Sequence, residues 1–363
     1  MPDNHSNHSD IDPAASSPIN PFEGMAPESD VVLTSRVRLA RNHTGMPFPG
    51  FLDPETAQES IRKAAEALAP HGLTLMRMDS LSVLQRQTLV EHRLISRDLL
   101  KSPERAAVLV SEFDAWDVDT EMPSKMLSVM INEEDHLRVQ AFVNEFDLNE
   151  AARIAFEADQ WIIEKIDVAY DEEFGYLTAC PTNTGTGMRA SVMLHLPALT
   201  WSGEMGKVTQ AVSKLGMTLR GLYGEGTEAQ GDLYQLSNQV TLGHTEQEIL
   251  DDMRSAASQM MDWERKVRVA LHAGDKIALE DRLMRALGVM ERARKISAKE
   301  FMQRWSCLRL GACMKLIPLK LSVLDRLLTS AQPASLQQAA GETLSDEQRD
   351  LRRADMVRKA IKE

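Results

Sequence analysis

Cysteine is scarce in this 363-residue chain, which has only Cys180, Cys307 and Cys313. Their spacing fits neither a zinc site nor the paired framework of a small secreted domain, so a reducing, cytoplasmic setting is expected. No apolar run approaches the length of a membrane span, and the N-terminus lacks the basic-then-apolar order of a secretory signal. Basic charge is in deficit too. The formal net charge is −13, which argues against the broad basic footprint of a nucleic-acid binder. There is no GxxxxGK(S/T) loop and no GxGxxG followed by a strand lysine. His5, His8 and His43 have no partner at metal-ligand spacing, and they are expected to be solvated or incidental. What is present is 43% hydrophobic residues, enough for one large core or two ordinary domains.

The charge is unevenly placed. Residues 1–30 hold six carboxylates and no Lys or Arg, whereas residues 31–48 hold three arginines and no acid. The first 29 residues, rich in Asp, Asn, Ser, Pro and His, read as a disordered tail. Residues 31–41 then predict a strand on which Arg36 and Arg38 share one face. Asp53-Pro54 marks a helix start, with a helix to about Ala69. A further helix, carrying His92, is expected over 81–100. Buried strands are expected over 106–112 and 127–132, the second ending in Asn132-Glu133-Glu134-Asp135-His136-Leu137-Arg138. Three successive acids at the mouth of an apolar strand suit a carboxylate base, with Arg138 as an anion contact. They suit the N-terminus of a helix equally well.

Residues 180–197, CPTNTGTGMRASVMLHLP, are the stretch around which the chain is organised. A polar turn passes through Gly185-Thr186-Gly187 into an alternating strand that opens with Arg189. Glycines without a Cβ let backbone approach a bulky anion, and an arginine at a strand start aims its fork of donors at phosphate. A short strand is expected ahead of it over 176–180. An amphipathic helix is expected over 204–219, delivering a glycine-rich loop that begins at Arg220 and surrounds Glu225. From Thr245 onward helical spacing dominates, with capping boxes at Thr245, Ser297 and Ser345. Residues 329–343, rich in Ser, Ala and Gln, read as a linker before a last helix.

Arg36, Arg38, Arg138, Arg189 and Arg220 thus stand on separate strand ends or loops around one acidic cluster. Dispersed arginines of this kind suit phosphoryl transfer by positioning and charge neutralisation. The motifs SRVRLAR, NEEDHLR and CPTNTGTGMRAS, in that order, resemble the ATP:guanido phosphotransferases, the family of creatine and arginine kinases. YLTACPTNTGTGMRASVMLHLPAL, RGLYGEGTEAQG, LYQLSNQVTLG and RDLRRA are more similar still to bacterial protein arginine kinases of the McsB type.

The resemblance implies an α+β fold. An antiparallel sheet flanked by helices would occupy 30–245, after the tail of 1–29, and an all-α domain for dimerisation and regulation would occupy 246–363. ATP would be the phosphoryl donor, with Mg²⁺ held mainly by phosphates and water. Thr34, Ser35, Arg36, Val37, Arg38, His92 and Arg138 would surround the nucleotide. So would Arg189, Ala190, Ser191, Val192, Met193, Arg220, Gly221, Leu222, Tyr223, Gly224 and Glu225. Glu134 would be the base, Glu225 would read the substrate guanidinium, and Cys180 would lie beside it. Arg349, Asp350, Arg353 and Ala354 match a phosphoarginine-sensing pocket. The implied substrates are proteins with exposed arginines, marked for Clp-type degradation; a zinc-binding activator and a Clp-type unfoldase are the implied partners. Creatine and arginine kinases carry a helical domain before SRVR that helps enclose a small guanidino substrate. Here Ser35 follows the acidic tail, so an open site suited to a protein-borne arginine is expected. A kinase for free arginine and a non-catalytic phosphoarginine-binding module are the alternatives.

Overall fold

The computed structural model describes residues 29–112, 123–221 and 229–362. β1 (Val32–Arg41) opens the fold, and α1 (Pro54–Leu68) follows behind its cap Asp53, whose carboxylate accepts from Thr56 N at 2.9 Å. Next come β2 (Leu73–Arg77), α2 (Val83–Glu91), β3 (Ala107–Ser111), β4 (Lys125–Ile131), β5 (Leu137–Val143) and α3 (Leu148–Ile163). The short β6 (Tyr170–Asp171) and β7 (Gly175–Tyr176) precede β8 (Met188–His195), α4 (Pro197–Trp201), α5 (Met205–Lys214), β9 (Met217–Gly221) and β10 (Leu233–Asn238). The remainder is helical: α6 (Glu246–Gly274), α7 (Lys276–Arg292), α8 (Ala298–Cys313), α9 (Leu321–Ser330), α10 (Pro333–Ala340) and α11 (Asp346–Ala360).

Among the described residues, eight strands form one antiparallel sheet in the order β2-β3-β4-β5-β1-β8-β10-β9. This is the α+β architecture that the family resemblance implies. Pleating sends alternate side chains to opposite faces. Val37, Leu39, Val129, Val139, Ala190, Val192 and Leu236 are buried on one face, where α1, α3, α5 and α6 pack. The opposite face is polar at its centre. In register, Arg38 lies between Gln140 of β5 and Arg189 of β8, and Arg36 lies between Phe142 and Ser191. Towards β3 that face is sealed by α2 and the turns after it, whose Leu89, Leu94 and Leu99 pack with Val108, Val110 and Met130.

Four local expectations are corrected. The helix expected over 81–100 stops at Glu91, because Arg93 takes a left-handed φ of +62° and Leu94 N turns back to Leu89 O at 2.9 Å. The one expected over 204–219 stops at Lys214: Gly216, at φ +69°, reverses the chain and Met217 starts β9. The strand expected over 176–180 is confined to Gly175–Tyr176 and gives way to a 3-10 turn at Pro181–Asn183. The supposed linker over 329–343 contains α10, capped by Gly341 and burying Ser335, Leu336 and Gln337; its Ala and Gln content is helix-forming.

The helical stretch does not pack as a separate layer from its first residue. Ile249, Leu250, Met253, Ala257 and Met261 of α6 complete the core of the sheet. Downstream, Leu283, Met290, Trp305, Leu324 and Val357 centre a second core.

Candidate active site

The acidic run forms the tip of the β4–β5 hairpin rather than a helix start. Asn132 adopts φ +57° and its N–H donates to His136 O at 2.9 Å, closing the turn. The three acids then diverge. Glu133, 3% exposed, pairs with Arg138 and accepts from Ser96 Oγ at 2.5 Å. Burial alone would raise its carboxyl, but Arg138 and the Ser96 hydroxyl hold it below the usual range. Glu134 is 41% exposed and places Oε2 3.3 Å from Arg138 Nη1. Asp135 is fully buried, and its Oδ1 accepts from Asn42 Nδ2 and from Ala179 N, both at 2.7 Å. One arginine is therefore gripped from behind by a buried acid and met from the front by an exposed one.

β1, β5, β8 and β9 converge their cations on the polar face. Arg36 donates from Nε to Ser191 Oγ (3.3 Å) and from Nη2 to Gln235 Oε1 (2.9 Å), and stands over the Phe142 ring at 5.7 Å. Burial, then the charges of Arg93, Arg138 and Arg189, pull its pKa down to about 9. Arg38 is pushed well below its ordinary value by burial and by Arg36, Arg138 and Arg189. Arg189 is lowered by burial and by Arg138 and Arg220. In Arg138 burial acts the same way, but Glu133 outweighs it and the net shift is upward. The mutual repulsion places these guanidinium groups in one patch. Arg38 and Arg189 stand directly opposite each other across the β1–β8 ladder, an arrangement that costs stability for like charges. The Nε atoms of both are buried without a hydrogen-bond partner among the described residues. Desolvated, under-satisfied donors of one sign fit an anion with many oxygens.

The expected nucleotide segments contribute by alternation. Thr34, Arg36, Arg38, Arg189, Ser191 and Met193 lie on the arginine face, in register across β1 and β8. The side chains of Val37, Ala190 and Val192 go into the opposite core, and Ser35 Oγ donates to Glu145 O at 2.7 Å. Arg220 lies on β9 opposite Gln235, and Gly221 ends that strand. Leu222, Tyr223, Gly224 and Glu225 lie outside the described residues. His92 follows α2, buried, with its pKa pulled down to about 4 by that burial.

Cys180 is half-buried, its Sγ 3.1 Å from Thr182 Oγ1. Through the neighbouring Ala179 N–H, Asp135 ties this loop to the Glu134 hairpin. The glycines beyond it are not a phosphate cradle. Gly187 lies at φ +63°, and a Cβ there would meet Arg41 Nη1 at 2.6 Å and Ala40 O at 2.7 Å. A Cβ on Gly185, at φ +110°, would meet Leu242 Cα and Thr241 O at 2.8 Å. These glycines admit protein, chiefly the buried Arg41 that pairs bidentately with Asp159 of α3 at 2.7 and 2.9 Å. His43, expected to be solvated or incidental, is not solvated but buried; its Nε2 lies 3.1 Å from Ser60 Oγ and its ring meets His136 edge-on at 5.0 Å.

On α11, Arg353 is buried and donates to Ala331 O (2.8 Å), Ile296 O (2.9 Å) and Asp350 Oδ1 (2.7 Å). Ala354 is buried beside it, and Arg349, a quarter exposed, pairs with Asp346. No three His, Cys, Asp or Glu side chains gather as metal ligands among the described residues. No helix among them is long and apolar enough to cross a membrane.

Sequence reasoning missed Gln235, Arg93, Phe142 and the Asn42–Asp135 tether. For Gln235 a signal existed: Tyr234-Gln235-Leu236-Ser237 alternates, and its polar members face Arg36. Arg93 and Phe142 carried no local mark.

The family profile described as ATP:guanido phosphotransferase, C-terminal catalytic domain, matches residues 56–267. That described as protein-arginine kinase McsB C-terminal domain matches residues 276–363. A protein-arginine kinase of Caldanaerobacter subterraneus subsp. tengcongensis is 43% identical over 336 residues, covering 91% of this chain and 96% of that protein. One from Bacillus subtilis is 42% identical over 342 residues, covering 92% and 91%. Among solved structures, the duplicated taurocyamine kinase from Schistosoma mansoni with bound transition-state-analogue components aligns at TM-score 0.58 and 25% identity, over 71% of this chain and 38% of that one. Lombricine kinase aligns at TM-score 0.55 and 23% identity, over 68% and 69%, a likeness of fold alone.

Proposed function

We propose that this chain, which belongs to the ATP:guanido phosphotransferase family, is a protein-arginine kinase that moves the γ-phosphoryl group of ATP onto arginine side chains of proteins. The observation that carries the reading is an exposed carboxylate, Glu134, 3.3 Å from a guanidinium of an arginine-lined sheet face. Arg36, Arg38, Arg138 and Arg189 neutralise the triphosphate and the charge that spreads over the transferring group. Mg²⁺ brought in with the nucleotide would add to that charge neutralisation, held mainly by phosphates and water, since no three His, Cys, Asp or Glu side chains gather as ligands among the described residues. The acceptor guanidinium is a poor nucleophile, cationic and delocalised with a pKa above about 12. Glu134 orients one of its nitrogens in line with the γ-phosphorus. As the N–P bond forms, the bond from phosphorus to the β–γ bridging oxygen breaks, ADP leaves with that electron pair, and the nitrogen's proton passes to Glu134. Glu133 takes no part in that transfer; its pairing keeps Arg138 aimed.

Exposure of Glu134 suits an acceptor carried on a polypeptide. Marking proteins for Clp-type degradation, a zinc-binding activator and a homodimeric enzyme belong to this reading through the family alone. The test is incubation with ATP and Mg²⁺ of an unfolded, arginine-containing protein beside free arginine. Phosphate on protein arginine supports the proposal; product from free arginine alone overturns it, as does no ATP turnover with either.

A further inference from the structure

The β6–β7 hairpin and the turn before α6 border a surface groove of about 500 Å³ that the proposed chemistry does not use. Tyr170, Phe174 and Tyr176 line it from the hairpin, and Leu242 lines it from the turn. Asp171 fixes the hairpin tip by accepting from Glu173 N at 2.8 Å and from Phe174 N at 3.0 Å. That tip leaves Tyr170 59% exposed and Phe174 45%, with Leu242 47% exposed beside them. Contiguous apolar groups held in water in this way mark a surface that receives a partner. The charge of the groove is of one sign. Glu172, Glu173 and Glu246 share the lining with no Lys or Arg, and the sequence has neither residue over 166–188 or over 221–253.

Aromatic rings beside carboxylates suit a guanidinium, which stacks on a ring face while its edge donates to the acid. The protein already holds one of its own arginines by this chemistry at the same ring. Buried Arg41 stands over Tyr176 at 3.4 Å from the ring centroid and pairs with Asp159 at 2.7 Å. Burial raises the Tyr176 phenol, Arg41 opposes the rise, and Asp159 and Glu246 add to it, so Glu246 lies within electrostatic reach of that ring. The groove also adjoins the reacting end of the site. Tyr176 N donates to Gly185 O at 2.8 Å, and Thr241 Oγ1 donates to Thr182 O (3.0 Å) and Thr184 O (2.6 Å). The turn that follows Cys180 is thus bonded to both sides of the groove. Ala179, three residues from Tyr176 and so at most about 11 Å away, is tied to Asp135, the neighbour of Glu134.

We propose that this groove docks the substrate polypeptide. A second arginine, about three to six residues (~10–20 Å of extended chain) from the acceptor, seats its guanidinium among Tyr170, Phe174 and the carboxylates while the acceptor meets Glu134. The inference rests on the acceptor arginine being carried on a polypeptide. Residues 1–28 of this chain, acidic and without Lys or Arg, have the wrong sign to be the occupant.

The test measures, by fluorescence anisotropy without nucleotide, the Kd of two labelled, unstructured peptides for the full chain. One carries a single arginine, the other a second arginine about four residues away; both are then assayed for phosphoarginine with ATP and Mg²⁺. The unaltered chain should bind the two-arginine peptide about tenfold more tightly, the scale of one cation–π contact backed by a carboxylate. Glu173→Lys, at an exposed position, should remove that advantage and leave the single-arginine peptide within about twofold. A peptide with glutamate in place of the second arginine should regain affinity for Glu173→Lys. Tyr170→Ser substitutes if Glu173→Lys does not fold. Equal affinity of the unaltered chain for both peptides overturns the inference alone, as does an advantage that survives both substitutions. Self-association of the chain that Glu173→Lys abolishes, with peptide affinities unchanged, makes the groove a contact between copies and overturns it too. A two-arginine advantage with no phosphoarginine in either peptide removes the kinase reading, and the substrate role of the groove with it.

Discussion

Replacing Arg189 by Met should make the free protein more stable and the nucleotide-bound protein less stable. Arg189 faces Arg38 across the ladder, and its charge is opposed by burial and by Arg138 and Arg220. Met keeps most of the side-chain stem and removes the repulsion, which for opposed like charges in a sheet is on the order of 1 kcal/mol. For a chain of this length that is about 1–2 °C in Tm. With ATP at about 100 times its Kd the unaltered protein gains ~2.7 kcal/mol. Loss of a charge-assisted contact worth ~1.5–3 kcal/mol weakens binding by roughly 10- to 150-fold. At the same ATP concentration the variant then gains only about 0.3–1.4 kcal/mol. The two melting curves should exchange order when Mg·ATP is added, as read by scanning calorimetry. A variant that melts lower by the same margin with and without ATP would show that Arg189 serves packing alone.

Other perturbations probe the frame around the site. Asp135→Ala leaves Asn42 Nδ2 and Ala179 N without their acceptor, so stability should fall by about 2–5 kcal/mol in urea titrations. Alkylation of Cys180 should also accelerate as its loop loosens; an unchanged thiol rate contradicts the tether. His43, His92 and His136 each have a pKa pulled down to about 4 by burial. The unfolded chain therefore takes up these protons first, near pH 6.5. The stability they contribute is complete above about 6.5 and is lost as pH falls towards 4, on the order of 3 kcal/mol for each histidine. His43 and His136 are in ring contact and titrate as a pair. Urea midpoints that stay flat between pH 7 and 4.5 would refute this; His43→Gln should make the fall shallower.

Much of this site is written in residues two apart. Arg36 and Arg38 alternate in an apolar strand, so their shared face followed from backbone geometry alone, and so did the outward turn of Arg189 and Ser191. Helix starts at Asp53, Thr245, Ser297 and Ser345 were legible because a cap is a local bond. What escaped depends on distant neighbours. Gly185 and Gly187 suited an anion locally, but the groups that exclude a Cβ are Thr241, Leu242 and Arg41. The acids Glu133, Glu134 and Asp135 are adjacent in sequence, and their different fates follow from Ser96, Arg138, Asn42 and Ala179. Residues 329–343 lack a strong apolar stripe because α10 is short and is held by Glu91, 243 residues from Ala334. The stop of α5 has a local mark in Gly216, although the amphipathic period continues past it.

Mass spectrometry that spares acid-labile phosphate, comparing a model protein treated with the unaltered chain and with Glu134→Gln in ATP and Mg²⁺, addresses the chemistry most directly. The exposed carboxylate beside Arg138 predicts phosphoarginine from the first and none above background from the second, with ATP affinity kept within about threefold because Arg36, Arg38 and Arg189 are untouched. Phosphoarginine formed at undiminished rate by Glu134→Gln, or phosphate found on hydroxyls instead, contradicts it.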